Sequence, residues 1–227
     1  MFFAILGVVI LIGLIVWPQF WIKTVMKRHS KARDDFPGTG GELAEHLLSH
    51  YGIEGVGVEA TDAGDHYDPE TQMVRLSKDN FEGANLTAVA VAAHEVGHAL
   101  QHARDEGGLK LRQKLVSIAM VTDKFASVFF IAAPVLAILA RTPAAFLGLA
   151  LVGISLLGVR ILVHLVTLPV EYDASFGKAL PILKEGGYLR DEDLAGARSV
   201  LKAAAFTYVA GAMMSLIDLA RWIRILR

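Results

Sequence analysis

The 227-residue chain contains no cysteine, which excludes disulfides, thiolate metal ligands and cysteine nucleophiles at once. It also lacks an excess of charge of either sign. Its 22 Lys and Arg against 23 Asp and Glu leave a net charge of −1, so electrostatics make no case for nucleic acid as a partner. Charged residues of any kind are scarce at 20%, while 54% of the chain is hydrophobic and the mean hydropathy is +0.46. That balance is too apolar for an ordinary soluble domain and implies a bilayer as solvent.

What the chain does have is long apolar runs separated by polar segments. Residues Phe2 to Ile22 carry no charge, enough for one span of a hydrocarbon core roughly 30 Å thick. No basic segment precedes this run and no small-x-small site follows it, so it reads as an uncleaved anchor and not a signal peptide. Trp17, Phe20 and Trp21 suit an interface. Lys23, Lys27, Arg28, Lys31 and Arg33 follow at once and place this end in the cytoplasm. From Leu115 to Leu168 the chain turns apolar again, interrupted at Arg141-Thr142-Pro143, the pattern of a helical hairpin through the membrane. Asp123 and Arg160 lie nearly equal distances from Thr142, so in such a hairpin they share one depth and can pair. Ala203 to Leu219 is apolar but, at about 17 residues, at the lower limit for a span. Arg221, Arg224 and Arg227 behind it fit either a crossing or an interfacial helix.

Between the first anchor and the hairpin stands His94-Glu95-Val96-Gly97-His98, an H-E-x-x-H motif. Leu86, Val89, Ala93, Val96 and Leu100 recur at three and four residues, predicting a helix from Leu86 to His102 capped by Asn85. On that helix His94 and His98 share a face and can offer two imidazole nitrogens to one ion. Glu95 is too close to His94 for a comfortable ligand and is better placed as a base that takes a proton from water. His102 is one turn further on, about 12 Å from His94 by helix rise, and too far to share the ion. The remaining His29, His46, His50 and His66 read as solvated or hydrogen-bonded residues.

The third ligand must come from elsewhere. A hairpin that leaves and re-enters the same side returns the segment Thr167 to Ser175 to the motif, and Glu171 is assigned as that ligand. Asp173, close enough to compete, is read as a partner that orients a ligand imidazole. Around the motif the chain reads as a small α+β domain. A helix runs from Glu42 to Tyr51 and is stopped by Gly52; strands follow at Val56–Glu59 and Met73–Leu76, with a turn at Asp68-Pro69-Glu70-Thr71. Helix, small sheet and metal-binding helix is the order of a zincin core, and Met73–Leu76 is the candidate edge strand for an extended substrate. After the hairpin, a helix from Glu171 to about Lys184 and another from Asp191 to Lys202 are expected.

With the motif, Asp65-His66-Tyr67-Asp68-Pro69 ahead of it and Leu168-Pro169-Val170-Glu171-Tyr172-Asp173-Ala174-Ser175 behind, the chain resembles the YugP-like membrane zinc metallopeptidases over nearly its whole length. The resemblance implies a multi-pass bacterial membrane protein with one zinc per chain, held by His94, His98 and Glu171, and Glu95 as base. It also favours a spanning C-terminal segment. One departure stands out: related membrane gluzincins carry E-x-x-x-D after the hairpin, whereas here Ser175 lies four residues past Glu171.

The expected protein is therefore mainly α and multi-pass, with about four transmembrane helices and a small zincin-like domain. Its parts are an anchor at 1–22, a cytoplasmic domain at 23–112, the hairpin at 113–168, the third-ligand and polar helices at 169–202, and a C-terminal segment at 203–227. The expected activity is zinc-dependent endopeptidase action at the cytoplasmic membrane surface on a protein or peptide substrate. His66, Tyr67, Tyr172 and His164 are candidate oxyanion donors. The rival is a non-proteolytic, metal-stabilised membrane scaffold or chaperone-like partner, for which Glu95 would be superfluous. A transporter fits less well, since Asp123, Lys124, Arg160 and His164 plot near one interface instead of mid-membrane.

Overall fold

The computed structural model describes residues 2–140 and 142–225, with the side chains of 2–12, 14, 15, 134, 137, 139, 140 and 218–225 outside the description. Arg141 and Arg227, and the side chains of Arg221 and Arg224, thus lie outside the described residues. The chain is mainly helical, and it divides into two units. One comprises residues 1–110 and 169–207, the other residues 111–168 and 208–227.

The first unit opens with α1 (Phe2–His29) and continues with α2 (Gly40–His50). Helix α2 begins earlier than its apolar pattern indicated, because Thr39 and Glu42 form a capping box: the Thr39 hydroxyl accepts from the Glu42 amide at 3.2 Å, and the Glu42 carboxylate accepts from the Thr39 amide at 2.7 Å. Strands β1 (Gly57–Thr61), β2 (His66–Asp68) and β3 (Met73–Ser77) form a sheet in the order β1-β3-β2. β1 runs parallel to β3, pairing Gly57 with Met73 through Thr61 with Ser77; β2 runs antiparallel, pairing Tyr67 with Val74. The expectation that Met73–Leu76 is an edge is therefore wrong: it is the central strand, and β1 and β2 are the edges. Strand β2 is only three residues long and offered too little alternation to be read from sequence. The centre is also visible in the side chains. Val74 and Leu76 are wholly buried on one face, and on the other Arg75 reaches Glu59 of β1 and Asp68 of β2 at 2.5 and 2.6 Å.

The short α3 (Lys78–Phe81) leads to α4 (Leu86–Ala103), whose cap Asn85 accepts from the Ala88 amide at 3.0 Å. Every residue of α4 from Leu86 to Gln101 is buried. An amphipathic surface helix keeps its polar face in water; here Thr87, His94, Glu95, His98 and Gln101 are inside as well.

Helices α5 (Gly107–Ala140) and α6 (Pro143–Tyr172) each carry residues of both units. Within the second unit the expected hairpin ion pair forms, with Arg160 Nε 3.3 Å from Asp123 Oδ1, and Thr142 caps α6 through the Ala145 amide. Two expected breaks are absent. Helix α6 passes through Pro169 without stopping, so Glu171 is in its last turn and does not begin a new helix. It then widens into a π-helical segment, Asp173–Ala179, where the Leu180 amide donates to Ser175 O five residues back, before α7 (Leu180–Glu185). Likewise Asp191 to Lys202 is not a separate helix: α8 is continuous from Asp191 to Ile225. Among the described residues three helices are long and apolar enough to cross a membrane, Gly107–Ala133, Pro143–Glu185 and Asp191–Ile217. The last begins in the polar segment before Ala203, so the helix is longer than the apolar run it carries.

Candidate metal centre

Helix α4 brings His94 and His98 one turn apart with ring centroids 4.8 Å from each other. The last turn of α6 lays Glu171 against both: its Oε2 is 3.2 Å from His94 Nε2 and 3.4 Å from His98 Nε2. All three are buried, at 4, 3 and 2% exposure, and their ligand atoms lie within 4.8 Å of one another. Two imidazole nitrogens and a carboxylate oxygen are the donor set of a catalytic zinc site, and such a group can hold a metal ion. Residues 77 positions apart meet here because α4 and the π-helical segment pack closely, backbone against backbone. Gly97 allows it. A Cβ at that position would lie 2.8 Å from Ala174 O, so the glycine between the two histidines marks a close approach of the helices.

Behind each imidazole stands a polar side chain. His98 Nδ1 is 2.9 Å from Gln101 Oε1, and Gln101 Nε2 donates to Val170 O at 2.9 Å and to Asp173 Oδ2 at 2.8 Å. His94 Nδ1 is 3.1 Å from Ser175 Oγ, which in turn donates to Leu201 O at 3.3 Å. Asp173 also pairs with the buried Lys178, whose ammonium reaches Glu106 at 3.0 Å. Asp173 therefore meets His98 through Gln101. Neither Gln101 nor Ser175 was singled out as a partner from sequence. Both had a signal in their spacing: Gln101 is three residues past His98 on the same helix face, and Ser175 four residues past Glu171.

Of the other candidates, Glu95 is buried on α4 beside His94. His102 stands apart from the three-residue group, its Nδ1 2.7 Å from the Tyr67 hydroxyl. Burial, reinforced by the charge of Asp68, pushes the Tyr67 phenol up to about 12, so it stays protonated and able to donate across the physiological range. His66 turns back on Gly64 O at 2.8 Å, His46 meets the Tyr188 hydroxyl at 2.9 Å, and Tyr172 is exposed and packs on Phe176. His164 belongs to the second unit, where its ring packs edge-on near Tyr208.

Residues 3–227 match the family described as "Putative neutral zinc metallopeptidase". The chain belongs to this family. It is also 37% identical over 216 residues to the Bacillus subtilis (strain 168) protein named "Putative membrane protease YugP", covering 94% of this chain and 92% of that protein. No solved structure matches it. Family membership accords with the geometry on two counts: a buried His-His-Glu group suited to zinc, and helices fit for a membrane.

Proposed function

We propose that this protein is an integral-membrane zinc-dependent endopeptidase that cleaves protein or peptide substrates at the cytoplasmic membrane surface. The observation that carries the reading is the convergence of His94, His98 and Glu171 on one buried point, with a further buried carboxylate, Glu95, next to His94. One zinc per chain fits this donor set, and zinc held there supplies Lewis acidity, lowering the pKa of a water to about 7 and polarising a carbonyl. Glu95 takes the proton from the attacking water and hands it to the leaving amine. His94, His98 and Glu171 hold the ion. Gln101 and Ser175 hold the imidazoles, and Asp173, tied to Lys178, holds Gln101.

In this reading the segment 23–112 is a zincin-like domain, completed by the ligand-bearing segment after the hairpin. Residues 1–22 are a fourth membrane anchor, and Lys23 to Arg33 set the cytoplasmic orientation. The test is metal content and hydrolysis of fluorescein-labelled casein by the detergent-purified full chain. Wild type holds one zinc and cleaves; Glu95→Gln keeps the zinc and loses at least about 10²-fold in turnover. Absence of zinc from gently purified wild type would overturn the reading, as would undiminished cleavage by Glu95→Gln.

A further inference from the structure

We infer that Gln101 is a positioning residue that keeps a proton on His98 Nδ1, with Ser175 doing the same for His94, so that Nε2, which faces Glu171 in the metal-free site, is the nitrogen of each ring left for the metal. This rests on the metal-site reading above. An amide side chain can usually be turned either way without a visible difference. Gln101 cannot. Its nitrogen faces the Val170 carbonyl and the Asp173 carboxylate, both acceptors, so that end must be the NH2 group. The oxygen must then face His98 Nδ1 at 2.9 Å, and an amide oxygen only accepts. His98 Nδ1 therefore carries the proton.

The same polarity runs through Ser175. Its one hydroxyl proton goes to Leu201 O, a carbonyl that can only accept, which leaves Oγ to accept from His94 Nδ1–H. One chain of donation ends on the ligand-bearing return segment, at Val170 and Asp173, and the other on α8, at Leu201. Neutral acceptors behind the imidazoles also distinguish this site from one in which a carboxylate stands there. They orient the rings without adding negative charge next to them, which leaves a bound metal the stronger Lewis acid. Gln101 is 1% exposed, so water cannot substitute for it without a rearrangement of the helix contact.

The experiment is ¹⁵N-histidine spectroscopy of the detergent-solubilised full chain at about pH 8.5, where an ordinary imidazole is neutral, run with and without Zn²⁺. Zinc affinity is measured in parallel by competition with a chromophoric chelator. Wild type shows protonated Nδ1 at His94 and His98 in both states. Gln101→Met removes the acceptor at similar volume: His98 loses its single tautomer and zinc affinity falls about 10–100-fold, while the His94 signal is unchanged. The double variant Gln101→Glu/Asp173→Asn restores an acceptor for His98 and a donor for the new carboxylate, and recovers the tautomer; the affinity recovers only in part, because the second carboxylate oxygen then faces the Val170 carbonyl. A wild-type His98 protonated at Nε2 alone overturns the inference, and so does a Met variant with unaltered tautomer and affinity. If the Met variant does not fold, the wild-type tautomer and the double variant decide. Failure of the zinc reading is separate: wild type that takes up no Zn²⁺ sinks that reading, while the tautomers are still read in the metal-free protein.

Discussion

Gly97→Ala sets two effects of known size against each other. In a helix interior, alanine is favoured over glycine by about 1 kcal/mol, so propensity alone predicts a more stable protein. The added Cβ, however, would stand 2.8 Å from Ala174 O and 3.4 Å from Ala174 Cα. The contact is to backbone, which cannot swing aside. Restoring ordinary separation from the oxygen, at the 3.4 Å already found to the Cα, moves the two helices apart by about 0.6 Å locally. Overpacking of this kind costs about 1–3 kcal/mol, which cancels or outweighs the gain in propensity. The metal site is more sensitive still, because His94 and His98 are on one of these helices and Glu171 on the other. Zinc–ligand distances are held to about 0.2 Å, so a shift three times that size misplaces the carboxylate. The expected outcome is a loss of zinc affinity of at least about tenfold, larger for Gly97→Val, with little change or a modest fall in unfolding temperature. Chelator competition and thermal unfolding of the purified chain check it. A Gly97→Ala variant that binds zinc like wild type and melts higher would refute the claim that helix approach at Gly97 sets the site.

Two further predictions concern ion pairs in the two units. Asp123 and Arg160 are each nearly half exposed, so Asp123→Arg or Arg160→Asp alone lowers thermal stability in detergent by about 0.2–1 kcal/mol for the lost pair plus a like-charge penalty. The double reversal restores most of it; no recovery in the double variant means the pair is not coupled. In the first unit, hydrogen bonds from Arg33 hold the Asp35 carboxyl down at about 2, and Arg33 also bridges to Asp193 at 2.5 Å. A depressed carboxyl stabilises the fold above its unfolded value of about 4 and loses that contribution as pH falls toward 2. The gap in unfolding temperature between wild type and Arg33→Met is therefore expected to be full at pH 6 and to narrow from pH 4 to pH 2. A gap independent of pH would remove Asp35 from the account.

The local pattern of the chain determined much of this protein. Periodicity and Asn85 define the motif helix from Leu86, spacing alone aligns His94 with His98, and nearly equal distances from Thr142 pair Asp123 with Arg160. Glu171 could be nominated because a hairpin must return its chain to the side it left. These features depend on residues near one another along a helix, or on the geometry of one turn, and such relations are written in the sequence itself. Only the tertiary structure decided which strand is central, since period-two alternation reports a buried face and not a neighbour, and the three residues of β2 are too few to show it. It also decided that α6 runs through Pro169 into a π-helical turn and that α8 does not break at Lys202, because packing overrides the local breaker and the change in composition. The same holds for the tethers of the two histidines. Gln101 and Ser175 look like ordinary polar residues until α4 is buried along its length and their hydrogen bonds have to be completed inside the protein, at Val170 and Asp173 on the returning chain and at Leu201 on α8.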